Sequence, residues 1–365
     1  MSLQTPLTDL FKIKHPIMLA GMNVAAGPEL AAAVTNAGGI GVIGGVGYTP
    51  KFLRDQIHEL KEYLNDKSAP FGIDLLLPQV TSAEAEVALR SCVGGSARKT
   101  NKDYTGGKLH ELVDIIIEEK AALFVCAVGV PPKDVVDKLH KAGIVCANMV
   151  STLFLKFKKA VGAPKHCLKA LETGADVIIA QGGEGGGHTG DVPTSILIPA
   201  CVDIVKGRKS PLTGKQVPVV AAGGIYNGRS LAAALSFGAV GVWVGTRFVC
   251  AEEAGASKAH QQAVLTADHN DTIRSLIYTG RPLRIRKTPF VMRWETEKAE
   301  EQKKLLAAGK IPVGMEDVEN RPHLMGAVAA VIKDVRPAKS IMEEMIKEAV
   351  ETIQKNQGYL IKSKL

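Results

Sequence analysis

The feature that most constrains this chain is a set of eight short runs rich in Val and Ile, spaced along its first 245 residues. They are Pro16–Ala20, Ile40–Ile43, Phe71–Leu77, Leu123–Val128, Ile144–Val150, Val177–Ala180, Val217–Ala221 and Val240–Val244. They are apolar almost throughout instead of alternating with polar residues, which marks strands of a parallel sheet buried on both faces. Helix-periodic segments lie between most of them. Pro28–Asn36 starts with Pro in the first helical position. Pro50–Leu64 follows Thr49, a natural N-cap. Lys108–Lys120, Lys133–Lys141, Lys165–Thr173, Thr194–Lys206 and Arg229–Phe237 continue the alternation. Gly38, Gly143, Gly174 and Gly238 fall just past helix ends, where a left-handed residue is wanted. Eight βα units within about 250 residues predict a (β/α)8 TIM barrel.

An open doubly wound sheet is the competing arrangement. Its best support is "GIGVIG", Gly39–Gly44, which matches the G-x-G-x-x-G spacing of dinucleotide-binding turns. That motif must follow a strand and open a helix. Here a helix precedes it and the motif is itself the strand, so its glycines read as close packing of barrel staves. After Phe248 the alternation stops. Residues 1–250 are therefore expected to form the barrel, with 251–322 an inserted helical lobe over its mouth. Residues 323–360 return to the barrel. Their last helix, Pro337–Gln357, carries an apolar stripe of Ile341, Met345, Ile346, Ala349 and Ile353. Residues 361–365 read as a tail, and 79–107 as a polar excursion after the third strand. A second irregular stretch is Phe154–Ala163.

Bulk properties narrow the function classes. The hydrophobic share is 46%, enough for a full core, and no apolar run is long enough to span a membrane. The N-terminal stretch does not read as a secretory leader. The net charge is +8, but the basic residues are scattered and lack interleaved aromatics, which argues against nucleic acid. Six dispersed cysteines, with no CxxC pair, read as buried reduced thiols; Cys126, Cys146 and Cys250 lie in or beside apolar runs. No metal-ligand spacing is visible. Ser363-Lys364-Leu365 is a peroxisomal address tripeptide, so the import receptor is an expected partner, with a cytoplasmic location otherwise.

Chemistry in such a barrel sits at the C-terminal ends of the strands. Glycine-rich turns follow the first, sixth, seventh and eighth runs. The last two, with Gly223, Gly224, Gly245 and Thr246, suit a phosphate held by backbone amides, with Arg229 and Arg247 adding charge. The sixth turn, "AQGGEGGGHTGDVPTS", surrounds Glu184 and His188 with glycine. Glycine lets backbone approach a flat ligand, and a histidine on a loop with no core to build points to catalysis. Glu184 reads first as a structural carboxylate accepting loop N–H bonds, with a partner for His188 as the alternative.

Three stretches carry a resemblance: "PIMLAGMNVAAGPELAAAVTNAGGIGVIGG", "AQGGEGGGHTG" and "VPVVAAGGIYNGRSLAAALSFGAVGVWVGTRF". Together they resemble the nitronate monooxygenases, FMN-dependent (β/α)8 enzymes. The resemblance implies oxidation of alkyl nitronates or nitroalkanes by O2 to a carbonyl compound and nitrite. It implies His188 as the catalytic residue and FMN contacts from Gly21, Met22, Asn23, Asp74, Gln181, Gly182, Gly186, Gly223, Gly224, Gly245 and Thr246. In two places the chain departs from the family pattern. Gly185 stands where Ala is usual, and Asp74 where Asn is frequent. The alternatives are an FMN- and NAD(P)H-dependent enoyl or ene reductase, since such reductases share these motifs, and a flavin-binding barrel without catalysis.

Overall fold

Eight parallel strands close on themselves in the computed structural model, which describes residues 2–78, 102–151, 165–312, 314 and 317–360. The staves are β1 (Ile17–Leu19), β2 (Gly41–Gly44), β3 (Phe71–Leu77), β4 (Leu123–Val128), β5 (Val145–Val150), β6 (Val177–Gln181), β8 (Val219–Ala222) and β9 (Gly241–Val244). They run in the order β1-β9-β8-β6-β5-β4-β3-β2. A parallel bridge between Met18 and Ile40 seals β2 to β1. All eight runs read from the sequence are staves, and the fold is a (β/α)8 barrel.

The uniform apolarity of the strands has a simple origin. Alternate residues serve two different cores. Val42, Val125, Val177, Ile179 and Val220 point into the barrel and form one cluster with Trp243. Ile43, Phe124, Ile178 and Val219 point outward and pack under the helices. Helix α1 (Pro6–Phe11) adds Leu7 and Phe11 to the inner cluster and plugs the N-terminal end. At that same end Asp176 accepts hydrogen bonds from Cys146 N (2.9 Å), Ser210 Oγ (2.6 Å) and Leu212 N (3.2 Å). His140 Nε2 lies 2.8 Å from its carboxylate. One buried carboxylate, fully partnered, thereby ties together the segments below β5, β6 and β8.

The outer helices are α2 (Pro28–Asn36), α3 (Pro50–Tyr63), α4 (Leu109–Glu118), α5 (Lys133–Lys141), α6 (Lys165–Thr173), α7 (Thr194–Val205), α8 (Gly228–Ser236) and, near the C-terminus, α13 (Ala338–Gln357). Thr49 caps α3 through its hydroxyl. Gly38, Gly143, Gly174 and Gly238 all have positive φ. In the "GIGVIG" strand a Cβ on Gly41 would reach the Ala31 carbonyl oxygen of α2 at 1.8 Å, and one on Gly44 would reach Asn23 N at 2.2 Å. Close packing, not nucleotide binding, requires those glycines. The stripe on α13 buries Ile341, Met345, Ile346 and Ala349; Ile353 is half-buried.

Residues 251–322 are not purely helical. They hold α10 (Lys258–Leu265), α11 (Pro289–Glu295) and α12 (Ala299–Ala307), after the short α9 (Thr246–Val249) that opens past the last stave. They also hold an antiparallel hairpin, β10 (Thr272–Ser275) and β11 (Leu283–Arg286). Leu283 and Ile285 of β11 are buried while Arg284 and Arg286 are partly exposed, the period-2 pattern of a half-buried strand. The hairpin extends into a third strand, β7 (Gly187–His188), which belongs to the glycine-rich loop after β6. Cys126, Cys146, Cys167, Cys201 and Cys250 are buried free thiols. Cys92, the core of the 79–107 excursion, Phe154–Ala163 and Ser363–Leu365 lie outside the described residues. Among the described residues no helix is long and apolar enough to cross a membrane.

Candidate functional site

A cavity of about 470 Å3 opens at the C-terminal ends of the staves, within the range of small-molecule sites. Gly21, Met22, Asn23, Asp74, Gln181, Gly186, His188, Gly223, Gly224, Gly245 and Thr246 all line it. Gly182 does not. It sits behind the wall, where a Cβ would strike Thr194 Oγ1 at 2.1 Å, so its role is to let α7 start against β6.

The loop after β6 is built by reciprocal hydrogen bonds. Gly183 N donates to Val192 O (2.7 Å) and Thr189 Oγ1 to Gly182 O (2.9 Å). Glu184 accepts from Thr194 N (3.0 Å to the nearer oxygen) and Thr194 Oγ1 (2.7 Å). This carboxylate holds the first residue of α7 and makes no hydrogen bond or ion pair with His188, so it is a loop anchor. Gln181 Nε2 donates to the His188 carbonyl at 2.7 Å. His188 pairs with Leu283 in the β7–β11 ladder, and its Nε2 lies 3.1 Å from Thr279 Oγ1. The imidazole is thus fixed from two sides, by the barrel through its backbone and by the hairpin through its ring. Burial, and then the charge of Arg281, lower its pKa from 6.5 to about 4. The neutral imidazole is the form this cavity favours at pH 7.

On the opposite wall, Asp74 of β3 is buried, and Gly21 faces it so closely that a Cβ there would lie 2.3 Å from Asp74 Oδ2. Met22 and Asn23 turn over Gly44, with Asn23 at φ 48°. Gly223 and Gly224 have φ of 85° and 77°, a pair of left-handed residues only glycine adopts readily. The amides of Gly224 and Thr246 donate no hydrogen bond among the described residues, while Thr246 Oγ1 accepts from Gly326 N (2.9 Å). The open amides of Gly224 and Thr246, and an orphaned buried carboxyl oxygen on Asp74, fit a flat heterocycle bearing a phosphate. Arg229 and Arg247 are not part of that cradle. Arg229 pairs with Glu348 (2.9 Å) and Arg247 with Asp334 (2.7 Å), and both line a separate groove. Partners more than eighty residues away, invisible in the local sequence, turn them aside.

Sequence reasoning missed several walls of the cavity: Tyr104 from the end of the excursion, and Tyr278, Thr279 and Arg281 from the hairpin turn. The signal for the turn was "YTGRP" between two short alternating runs, a hairpin-type spacing.

A family model described as nitronate monooxygenase matches residues 4–348. A (3aS,4S,5R,7aS)-5-hydroxy-7a-methyl-1-oxo-octahydro-1H-indene-4-carboxyl-CoA dehydrogenase of Rhodococcus jostii is 34% identical over 290 residues, covering 80% of this chain and 67% of its own. A Staphylococcus saprophyticus protein described as a probable nitronate monooxygenase is 30% identical over 314 residues, covering 80% and 81%. Among solved structures, FabK from Thermotoga maritima aligns with a TM-score of 0.73 at 30% identity, over 98% of this chain and all of that one. With the barrel, the cavity at its mouth and the matched span in agreement, the chain belongs to the nitronate monooxygenase family of flavin-dependent oxidoreductases.

Proposed function

We propose that the chain binds FMN and uses O2 to oxidise alkyl nitronates, or nitroalkanes after loss of their α-proton, to a carbonyl compound and nitrite. The observation that carries this reading is His188: a histidine favoured as neutral imidazole, held in the wall of the cavity that contains the glycine cradle. FMN, when bound, supplies the electron transfer and the reaction with O2. Gly223, Gly224, Gly245 and Thr246 would hold its phosphate, and Gly21, Met22, Asn23, Asp74, Gln181 and Gly186 would pack against the rest. His188 takes the α-proton of a neutral nitroalkane, for which an unprotonated imidazole is required. Arg281, in the same wall, places positive charge where the nitronate anion forms. The apolar remainder of the wall, including Leu76, Leu283 and Leu324, excludes water from that charge. A peroxisomal location is proposed on the Ser363–Leu365 tripeptide alone.

One observation favours a second reading. The Rhodococcus jostii relative, at 34% identity, acts by its name on a carboxyl-CoA. Dehydrogenation of a CoA thioester in the same cavity is the alternative it supports. A reductase using NAD(P)H is the third. One experiment separates the three. The purified holoprotein is challenged anaerobically with nitronate, acyl-CoA thioesters and NADPH, flavin absorbance is followed, and O2 is then admitted. Bleaching by nitronate and nitrite release on aeration are expected. Bleaching by NADPH or a thioester alone would overturn the nitronate reading, as would release of a cofactor other than FMN on heating.

A further inference from the structure

Asp74 stands out in this cavity for lacking what a buried carboxylate needs. It lies on β3, in register with Gly44 of β2 and Val125 of β4, with 7% of its surface exposed. Its Oδ1 is sealed from solvent and has no hydrogen-bond partner, and no donor reaches Oδ2 among the described residues. The groups around it explain this. From β2 and the turn after β1 come Gly44, Gly45, Gly21 and Met22, which offer no charge. From β4 comes Cys126, whose thiol donates to Gly129 O and is pushed well up by burial, so it too is neutral. Among the described residues the other ionisable side chains of the cavity wall are Tyr104, Glu184, His188, His260, Tyr278 and Arg281; Glu184, His188, His260 and Tyr278 are hydrogen-bonded elsewhere, and burial alone acts on Asp74.

A carboxylate left with neither donors nor a cation is strongly disfavoured in such a place. A carboxylic acid is tolerated, and it has one O–H to donate. We propose that Asp74 meets the flavin as a neutral carboxylic acid, donating a hydrogen bond to an acceptor on the cofactor, so that retention of the cofactor depends on that proton. This rests on the FMN reading above and goes beyond it, because it makes cofactor affinity a function of pH through one side chain. It also accounts for the departure from asparagine: a protonated Asp and an Asn both present a donor of similar shape to the same place. Burial sets the scale, raising the group from 3.8 to about 8. The acid form therefore prevails at neutral pH and is lost as pH rises beyond that point.

The test measures the Kd for FMN of the apoprotein from pH 6.5 to 9.5, by quenching of flavin fluorescence, for the wild type, Asp74→Asn and Asp74→Ala. The wild type is expected to weaken by up to tenfold per pH unit above the apparent pKa, because only the protonated form binds well. Asp74→Asn should match the wild type at pH 6.5 and stay nearly flat, and Asp74→Ala should be weaker throughout. The infrared difference spectrum of wild type minus Asp74→Asn should show the carbonyl stretch of a protonated carboxyl at pH 6.5. Identical pH dependence in wild type and Asp74→Asn, or a carboxylate band in place of the acid at pH 6.5, would overturn the proposal even if both bind FMN. Failure of the wild type to bind FMN at any pH would instead sink the FMN reading on which it stands, whereas loss of binding in Asp74→Asn alone would overturn the proposal.

Discussion

Replacing His188 with Asn tests the chemistry most directly, and the structure sets the size and the pH window of the effect. The ring sits in the cavity wall with Nε2 against Thr279 Oγ1. Burial and Arg281 bring its pKa to about 4, against an ordinary 6.5. That difference corresponds to about 3 kcal/mol between imidazole and imidazolium. The base form is therefore present throughout the neutral range and is lost only as pH falls through about 4. At pH 5.5 more than about 90% of His188 should remain neutral, whereas an unburied histidine would retain roughly a tenth. The same displacement acts on folding. The unfolded chain takes up a proton near 6.5 and the folded chain does not, so this stabilising contribution is present above 6.5 and is lost as pH falls towards 4. The assay is kcat/KM for a neutral nitroalkane and for its pre-formed nitronate, from pH 4 to 9, with FMN saturating. The wild type should hold its plateau on the neutral substrate to below pH 5.5. His188→Asn should reduce that plateau by about 10²–10⁴-fold, the usual contribution of a positioned acid–base group. It should reduce nitronate turnover less, since the proton is already gone, and leave the bound-flavin spectrum unchanged. An acid limb centred near 6.5 would refute the assignment of a buried neutral imidazole. Equal losses on the two substrates would refute the role as base.

Other expectations follow from the scaffold around that ring. Thr279→Val, which removes the hydroxyl against Nε2, should lower kcat on the nitroalkane and shift its acid limb, and Thr279→Ser should restore both; pH profiles of the two variants decide it. Glu184→Ala removes the hydrogen bonds to Thr194 and should lower thermal stability by about 1–3 kcal/mol while loosening FMN binding, read by Tm with and without cofactor. Gly185→Ala places a Cβ 2.9 Å from the Gln181 side chain. Gln181 should swing and release the His188 carbonyl, at roughly 0.5–1.5 kcal/mol in stability, measurable by denaturation. A tagged chain lacking Ser363–Leu365 should leave peroxisomes for the cytosol, and continued colocalisation with a peroxisomal marker would exclude that address.

The barrel was legible because its signals are local and redundant. Parallel staves buried on both faces give unbroken apolar runs, and the helices between them end at glycines such as Gly38 and Gly174 with φ of 94° and 105°. Most of the residues expected at the cofactor line the cavity for a similar reason, since glycine turns after the staves surface at one end; Gly182 is the exception, and Asp74 lies on a stave. The hairpin was harder to see. "TIRS" and "LRIR" are four residues each and rich in charge, so their alternation is lost among neighbouring helical patterns. The two-residue strand Gly187–His188 carries no pattern at all, since its pairing is dictated by Leu283 and Arg284 almost a hundred positions later. Arg229 and Arg247 were misplaced for a related reason: sequence gives a residue's position along the backbone but not the distant carboxylate that captures its side chain.

The pairing of His188 with Leu283 ties the proposed base to two parts of the molecule at once. Gly187 and His188 are too few to form a strand on their own, and the hairpin completes them. Gln181 of the barrel holds the His188 carbonyl while Leu283 and Thr279 of the hairpin hold its backbone and ring, so a displacement of β10 and β11 would remove the hairpin's share of what positions the imidazole. Inheritance follows the same rule. A graft of the hairpin from one relative onto the barrel of another would exchange the entrance and re-aim the histidine together.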